Sequence, residues 1–308
     1  MSIDLSGRVA IVTGAGGGLG RAHALLLAKR GARVVVNDLG GSRDGSGGGS
    51  AMAEAVVEEI RAAGGEAFAN GASVTEFDQV QAMVAEAVEH WGRVDILVNN
   101  AGILRDRTFA KLDLADFRTV VEVHLMGSIN CTKAVWEQMR SQGYGRIMMT
   151  TSSSGLWGNF GQSHYGAAKL GLVGAMKTLS EEGAKYDIRV NCLAPSAATR
   201  MTADIMDEAE LAALAPEAVS PAMLVLVSEQ APNGMILCAG AGSFECAHIT
   251  MTQGAYIGTG DDAAERLLAS LDRIADRADE MVPHTGLEQP RFELARALAQ
   301  TEAALADG

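Results

Sequence analysis

Basic charge, cysteine and long apolar runs are all scarce in this chain. It carries 25 Lys and Arg against 38 Asp and Glu, a formal net charge of −13 with a pI near 4.9. That balance argues against nucleic acid and anionic membranes, which need basic patches. No apolar run approaches the ~20 residues that span a bilayer, and no charged-then-apolar leader is read at the start. The four cysteines, Cys131, Cys192, Cys238 and Cys246, are scattered, with no CxxC pair and no metal-ligand spacing. A disulfide framework and a zinc site are therefore not expected; buried thiols in a reducing cytoplasm are. Part of the acidity is local. Residues 261–308 hold eleven acidic side chains and five arginines, a net of −6, as a solvated helical appendage would.

What the chain has is length and rhythm. Its 308 residues suffice for one large α/β domain or two small ones, and 48% of them are hydrophobic. Short apolar runs alternate with helix-period segments over the first 240 residues, the pattern of a parallel sheet with crossover helices. RVAIVTG, ARVVVND, EAFANGA, VDILVNNAG, GRIMMTTSS, IRVNCLAP and GMILCAG read as seven strands. The expectation is a single Rossmann-type, doubly wound parallel sheet over residues 1–260, with a C-terminal helical extension over 261–308. In that extension Leu267, Leu271, Ile274, Ala278 and Met281 recur at three- or four-residue steps, which predicts one apolar helical stripe. GGSRDGSGGGS, residues 40–50, breaks the rhythm and is rich enough in glycine for a mobile loop.

The chemistry gathers at strand ends. TGAGGGLG, residues 13–20, joins the first strand to its helix. Gly14 permits a tight turn, and Gly18 and Gly20 allow backbone to approach a pyrophosphate at a helix N-terminus. Asp38 closes the second strand, where a carboxylate accepts from both adenosine ribose hydroxyls and repels a 2′-phosphate. That favours NAD over NADP, although Arg43 in the glycine-rich loop could serve a phosphate. NNAG, residues 99–102, closes the fourth strand. YGAAK puts Tyr165 and Lys169 one helical turn apart on one face, and Ser152 lies thirteen residues before the tyrosine. A tyrosine titrates near ~10, so work as a base at neutrality needs a lower pKa. A lysine charge at ~4 Å supplies about 4 kcal/mol at an effective dielectric of ~20.

The TGxxxGxG turn, NNAG, Ser152 and YxxxK together resemble the short-chain dehydrogenase/reductase family. The resemblance implies that Tyr165 is the catalytic acid/base, Ser152 positions the substrate oxygen, and Lys169 holds the nicotinamide ribose and lowers the tyrosine pKa. It places NAD against Gly14, Gly18, Leu19, Gly20, Asp38, Ser73, Val74, Asn100, Ala101, Gly102, Tyr165, Lys169, Ala197, Ala198, Thr199 and Arg200. VVVNDLGG, NNAGILRDRTFAKL, VHLMGS and APSAATRMT are most similar to the (3R)-3-hydroxyacyl-CoA dehydrogenases within that family. His124 stands where most members carry Asn, and is counted with the catalytic group through its backbone carbonyl; Ser196 replaces a usual glycine. The implied reaction is NAD-dependent oxidation of a (3R)-3-hydroxyacyl-CoA, with a fatty or steroid side chain. Arg105, Arg107, Lys111 and Arg200 offer a basic rim for such a thioester. The alternative is a 17β-hydroxysteroid or other lipophilic alcohol without CoA; a cofactor-binding protein without catalysis is a third. A homodimer or homotetramer is expected. The ending LADG carries no peroxisomal signal, so the cytoplasm is expected.

Overall fold

Val9–Thr13, Ile96–Asn99 and Gly145–Thr150 are buried along their whole length, as strands covered on both faces must be. The computed structural model describes residues 2–42, 44–45, 47–197 and 208–306. Eight strands form one sheet: β1 (Val9–Thr13), β2 (Arg33–Asn37), β3 (Ala67–Asn70), β4 (Ile96–Asn99), β5 (Gly145–Thr150), β6 (Ile188–Ser196), β7 (Ile236–Gly240) and β8 (Ser243–Ala247). Their order is β3-β2-β1-β4-β5-β6-β7-β8, and β1 to β7 pair in parallel. The seven expected strands are present. The eighth, β8, is a largely exposed edge strand whose SFECA gives no apolar run to read.

Crossover helices α1 (Gly18–Lys29), α2 (Ala51–Ala62), α3 (Phe77–Trp91), α4 (Leu114–Val121), α5 (Gly127–Gln142), α6 (Ser153–Trp157) and α7 (Ser163–Gly183) precede the shorter α8 (Glu208–Ala213) and α9 (Ser220–Leu226). Between α4 and α5 the chain makes a π-helical turn over Glu122–Met126, which holds His124. Chain order reverses between β1 and β4, which leaves a crevice beyond their carboxyl ends. The amino ends are tied by buried charge. Asp95 accepts from the Val9 amide and pairs with Arg8 and Arg93, and the fully buried Arg146 donates to the carbonyls of Ser228, Gly145 and Asp187.

The chain resolves into two compact units, residues 1–246 and 247–308. The second holds α10 (Ala263–Ala269), α11 (Leu271–Ala275) and α12 (Glu288–Ala306). The single stripe expected there does not form. The helix breaks at Ser270 and ends at Ala275, Leu267 and Leu271 are exposed, and Met281 pairs with Met251 in an antiparallel bridge. Three-residue spacing alone did not reveal the break.

Candidate active site

The β1–α1 turn is shaped by sterics. Gly14 has φ +63°, and a Cβ there would lie 2.8 Å from the Ala101 Cα. A Cβ on Gly20 would lie 2.1 Å from the Gly14 carbonyl oxygen. Gly16, which the motif did not single out, abuts Asp38: a Cβ would stand 2.8 Å from Oδ2, and its N–H donates to that oxygen at 2.8 Å. Gly40 N–H donates to Oδ1 at 2.7 Å. The carboxylate at the end of β2 is thus aimed by two backbone amides. Asn100 pins the facing loop, its Nδ2 donating to the carbonyls of Thr13 and Gly14 at 3.0 and 3.1 Å.

These loops open on a cleft of about 1080 Å³. Gly14, Gly18, Leu19, Gly20, Asp38, Ser73, Val74, Asn100, Ala101 and Gly102 line one part of it, and His124, Ser152, Tyr165 and Lys169 another. Ala197 does not line it; it packs against the core beyond β6. Ala198, Thr199, Arg200 and Arg43 lie outside the described residues. The described members of the expected basic rim are also elsewhere. Arg105 pairs with Asp116 at 2.6 Å and donates to the Asp44 carbonyl, while Arg107 and Lys111 are exposed and stand off the cleft wall. These three cations are thus met by Asp116, the Asp44 carbonyl or solvent.

Ser152 follows β5 and caps α6, accepting from the Ser154 amide at 3.2 Å. It also lines the cleft beside the Tyr165 phenol. Lys169 is buried, and its Nζ donates to the Thr150 carbonyl at 2.6 Å. Burial lowers its pKa to about 7. The Tyr165 phenol is pushed up, by burial first, with the Ser152 hydroxyl opposing and the Asp106 charge adding to the rise. In this geometry burial outweighs any lowering of the tyrosine by Lys169. The ammonium sits 5.5 Å from the ring centroid and is weakened by its own burial.

His124 meets Tyr165 edge-on, with ring centroids 5.1 Å apart. Its Nε2 is shared by the carbonyl and amide of Ile103 at 2.8 and 3.1 Å, and Nδ1 is buried without a partner. Burial, with Lys169 nearby, drives its pKa to about 3, so the ring is neutral. Its backbone carbonyl accepts from Ser128 Oγ at 2.7 Å. Gly102 makes room for the ring: a Cβ there would lie 2.3 Å from His124 Cε1.

The sequence reading missed Asn159, Gln162 and Asp106. Gln162 is the N-cap of α7, three residues before Tyr165. Among the described residues no cluster of His, Cys, Asp and Glu could hold a metal, and no helix is long and apolar enough to cross a membrane.

The comparisons with known proteins agree with this geometry. The family model described as short chain dehydrogenase matches residues 8–210. A protein of Mycobacterium tuberculosis named as a short-chain type dehydrogenase/reductase is 53% identical over 239 residues, 77% of this chain and 84% of that one. Peroxisomal multifunctional enzyme type 2 of Mus musculus is 50% identical over 78% of this chain, which spans 32% of that enzyme's length. A 3-oxoacyl-[acyl-carrier-protein] reductase of a Synechocystis species is 43% identical over 66% of this chain and 80% of its own. Among solved structures, the full-length peroxisomal multifunctional enzyme type 2 of Drosophila melanogaster matches 97% of this chain and 50% of its own, at 35% identity and a TM-score of 0.79. A 7α-hydroxysteroid dehydrogenase complexed with NADH and 7-oxo glycochenodeoxycholic acid matches 78% of this chain and 95% of its own, at 30% identity and a TM-score of 0.69.

Proposed function

This chain belongs to the short-chain dehydrogenase family, and on that premise we propose that it oxidises (3R)-3-hydroxyacyl-CoA thioesters with NAD. That it is an oxidoreductase acting on CH–OH groups follows from its relatives and structural neighbours. The observation that carries the finer reading is one cleft holding Ser152, Tyr165 and Lys169 beside a glycine cradle and the Asp38 carboxylate.

The cleft fits a dinucleotide. Close backbone approach at Gly14 and Gly20 leaves no room for side chains where a pyrophosphate is cradled, and Asp38 presents acceptors suited to ribose hydroxyls. A second phosphate there would face that negative charge, which supports NAD over NADP. When bound, NAD supplies the hydride acceptor. The chain's own residues handle the proton. Tyr165, as phenolate, takes it from the substrate hydroxyl, and Ser152 donates to the oxygen that gains carbonyl character. Lys169 steadies the phenolate and the ribose. Burial lowers its pKa to about 7, and a bound anion beside it favours the ammonium form. His124, being neutral, holds Ile103 and the wall behind the phenol rather than delivering a proton.

The thioester assignment draws on the resemblance to the (3R)-3-hydroxyacyl-CoA dehydrogenases and on the 3-oxoacyl reductase relative. A lipophilic alcohol without CoA is the second reading. Trp157 at the end of α6 and Phe160 on the loop that carries Asn159 to the cleft, 69% and 88% exposed, suit an apolar body, and one structural neighbour holds a steroid. Cys131 and Cys192, buried as thiols, support a reducing compartment such as the cytoplasm, and exposed Met126 and Leu170 near or on the long helices support a homodimer or homotetramer.

The test is NADH formation from matched (3R)- and (3S)-3-hydroxyacyl-CoA and from a 17β-hydroxysteroid, each with NAD and with NADP. Turnover of the R-thioester with NAD supports the proposal. Turnover of the steroid alone keeps the chemistry and discards the thioester.

A further inference from the structure

Asp106 is a titratable group behind the cleft wall, bonded to the lining residue Gln162, that the proton chemistry does not use. Its Oδ2 accepts from Gln162 Nε2 at 2.6 Å, and its Oδ1 is buried with no partner. Among the described residues no cation pairs with it: Arg105 is spent on Asp116 and the Asp44 carbonyl. Its negative charge is felt at the Tyr165 phenol, so the same charge acts on whatever occupies the space beside that phenol.

The carboxylate also settles how Gln162 is turned. An ionised carboxyl only accepts, so the Gln162 atom against it is the NH₂ group. Asn159 Nδ2 donates to Gln162 Oε1 at 3.1 Å, which agrees with that orientation. The amide oxygen is thereby engaged, one N–H is committed to Asp106, and the second N–H has no partner among the described residues. Gln162 lines the cleft together with Ser152 and Tyr165. A wall that offers one donor backed by an anion with no cationic partner among the described residues has a definite preference. A neutral carbonyl oxygen gains the hydrogen bond and meets no repulsion. A carboxylate gains the same bond but faces a like charge in a low-dielectric setting.

We propose that Asp106 and Gln162 form a charge-backed hydrogen-bond donor that selects alcohols bearing a neutral carbonyl, as in a thioester or amide, and rejects those bearing a free carboxylate. The proposal rests on the dehydrogenase reading of the cleft and adds a specificity element to it. Gln162 touches the substrate. Asp106 acts through Gln162 and through its field, and is a positioning residue. Rejection of the free acid keeps the enzyme from drawing on hydrolysed substrate.

The experiment compares two substrates that differ in this group alone: the N-acetylcysteamine thioester of (R)-3-hydroxybutyrate and free (R)-3-hydroxybutyrate, with NAD and the full chain. The unaltered protein is expected to favour the thioester. Asp106→Asn is expected to narrow the thioester-to-acid ratio of kcat/KM on the order of tenfold or more, through a lower KM for the acid. Asp106→Glu, which keeps the charge, is expected to restore the ratio. Gln162→Leu is expected to raise the thioester KM on the order of tenfold, and it keeps the question answerable should the Asp106 variant fail to fold. An Asp106→Asn ratio within twofold of the unaltered protein, or an unchanged thioester KM in Gln162→Leu, overturns this proposal alone. Absence of turnover of every alcohol by the unaltered protein overturns the dehydrogenase reading and this element with it.

Discussion

Lys169 gives its hydrogen bond to the Thr150 carbonyl at 2.6 Å, while its ammonium stands 5.5 Å from the centre of the Tyr165 ring. The lysine is thus anchored to the strand end that carries the serine, and burial is the largest influence on the phenol's pKa. In the protein without added dinucleotide, the phenol removed by Tyr165→Phe is expected to ionise above 10, the ordinary tyrosine value. Difference ultraviolet titration of the two proteins measures this. Ionisation below that value would mean the ammonium outweighs burial.

Two buried histidines make the fold acid-sensitive. His23, bonded to Ser220 Oγ at 2.9 Å, and His124 both have pKa values lowered to about 3 from 6.5 by burial. Each binds a proton more readily when unfolded. Their neutral forms leave stability intact above pH 6.5, and stability falls as pH drops from there toward 3. The loss is about 2 kcal/mol per histidine at about pH 5. Urea unfolding at neutral pH and about pH 5 tests this, and His23→Gln is expected to remove roughly half of the difference.

Glycines here divide by what surrounds them. Gly20→Ala drives a Cβ against the Gly14 carbonyl and the Asn100 amide, and is expected to cost about 1–3 kcal/mol and weaken NADH binding. Gly174→Ala, exposed in α7 with open space about it, is expected to gain about 1 kcal/mol. Thermal or urea unfolding, with NADH titration by fluorescence, distinguishes them. Equal effects would contradict the steric account of the cradle.

Thiol labelling reports packing. Burial pushes Cys131 and Cys192 up to about 12, so neither is expected to react in the folded protein at about pH 8. Exposed Cys246 is expected to label first and half-buried Cys238 more slowly. Mass spectrometry of peptides after brief alkylation gives the order, and early modification of Cys131 or Cys192 would contradict the buried core.

Periodicity made the parallel sheet readable because strands covered on both faces are continuous apolar runs, as VAIVT and RVVVN are. It did not reveal β8, whose side chains face solvent, or the break in the C-terminal helices, which Ser270 makes without proline or glycine. In the site, glycine strings and YxxxK are local and visible. Asp106 and Gln162 are 56 residues apart and meet only because two loops converge, so spacing could not join them. The pKa balance of Tyr165 was likewise out of reach, because it depends on burial. Lys169 has the right sequence interval, yet the structure turns its Nζ toward Thr150.

In the proposed reaction Tyr165 is the group that moves the proton. Tyr165→Phe removes one oxygen from the cleft and leaves the glycine cradle and Asp38 in place. The most direct measurement is steady-state NADH formation from a (3R)-3-hydroxyacyl thioester by this variant, paired with its NADH affinity. Turnover lower by about 10³-fold with affinity retained is the predicted result. Turnover within about tenfold of the unaltered protein would contradict it and assign the proton to another group.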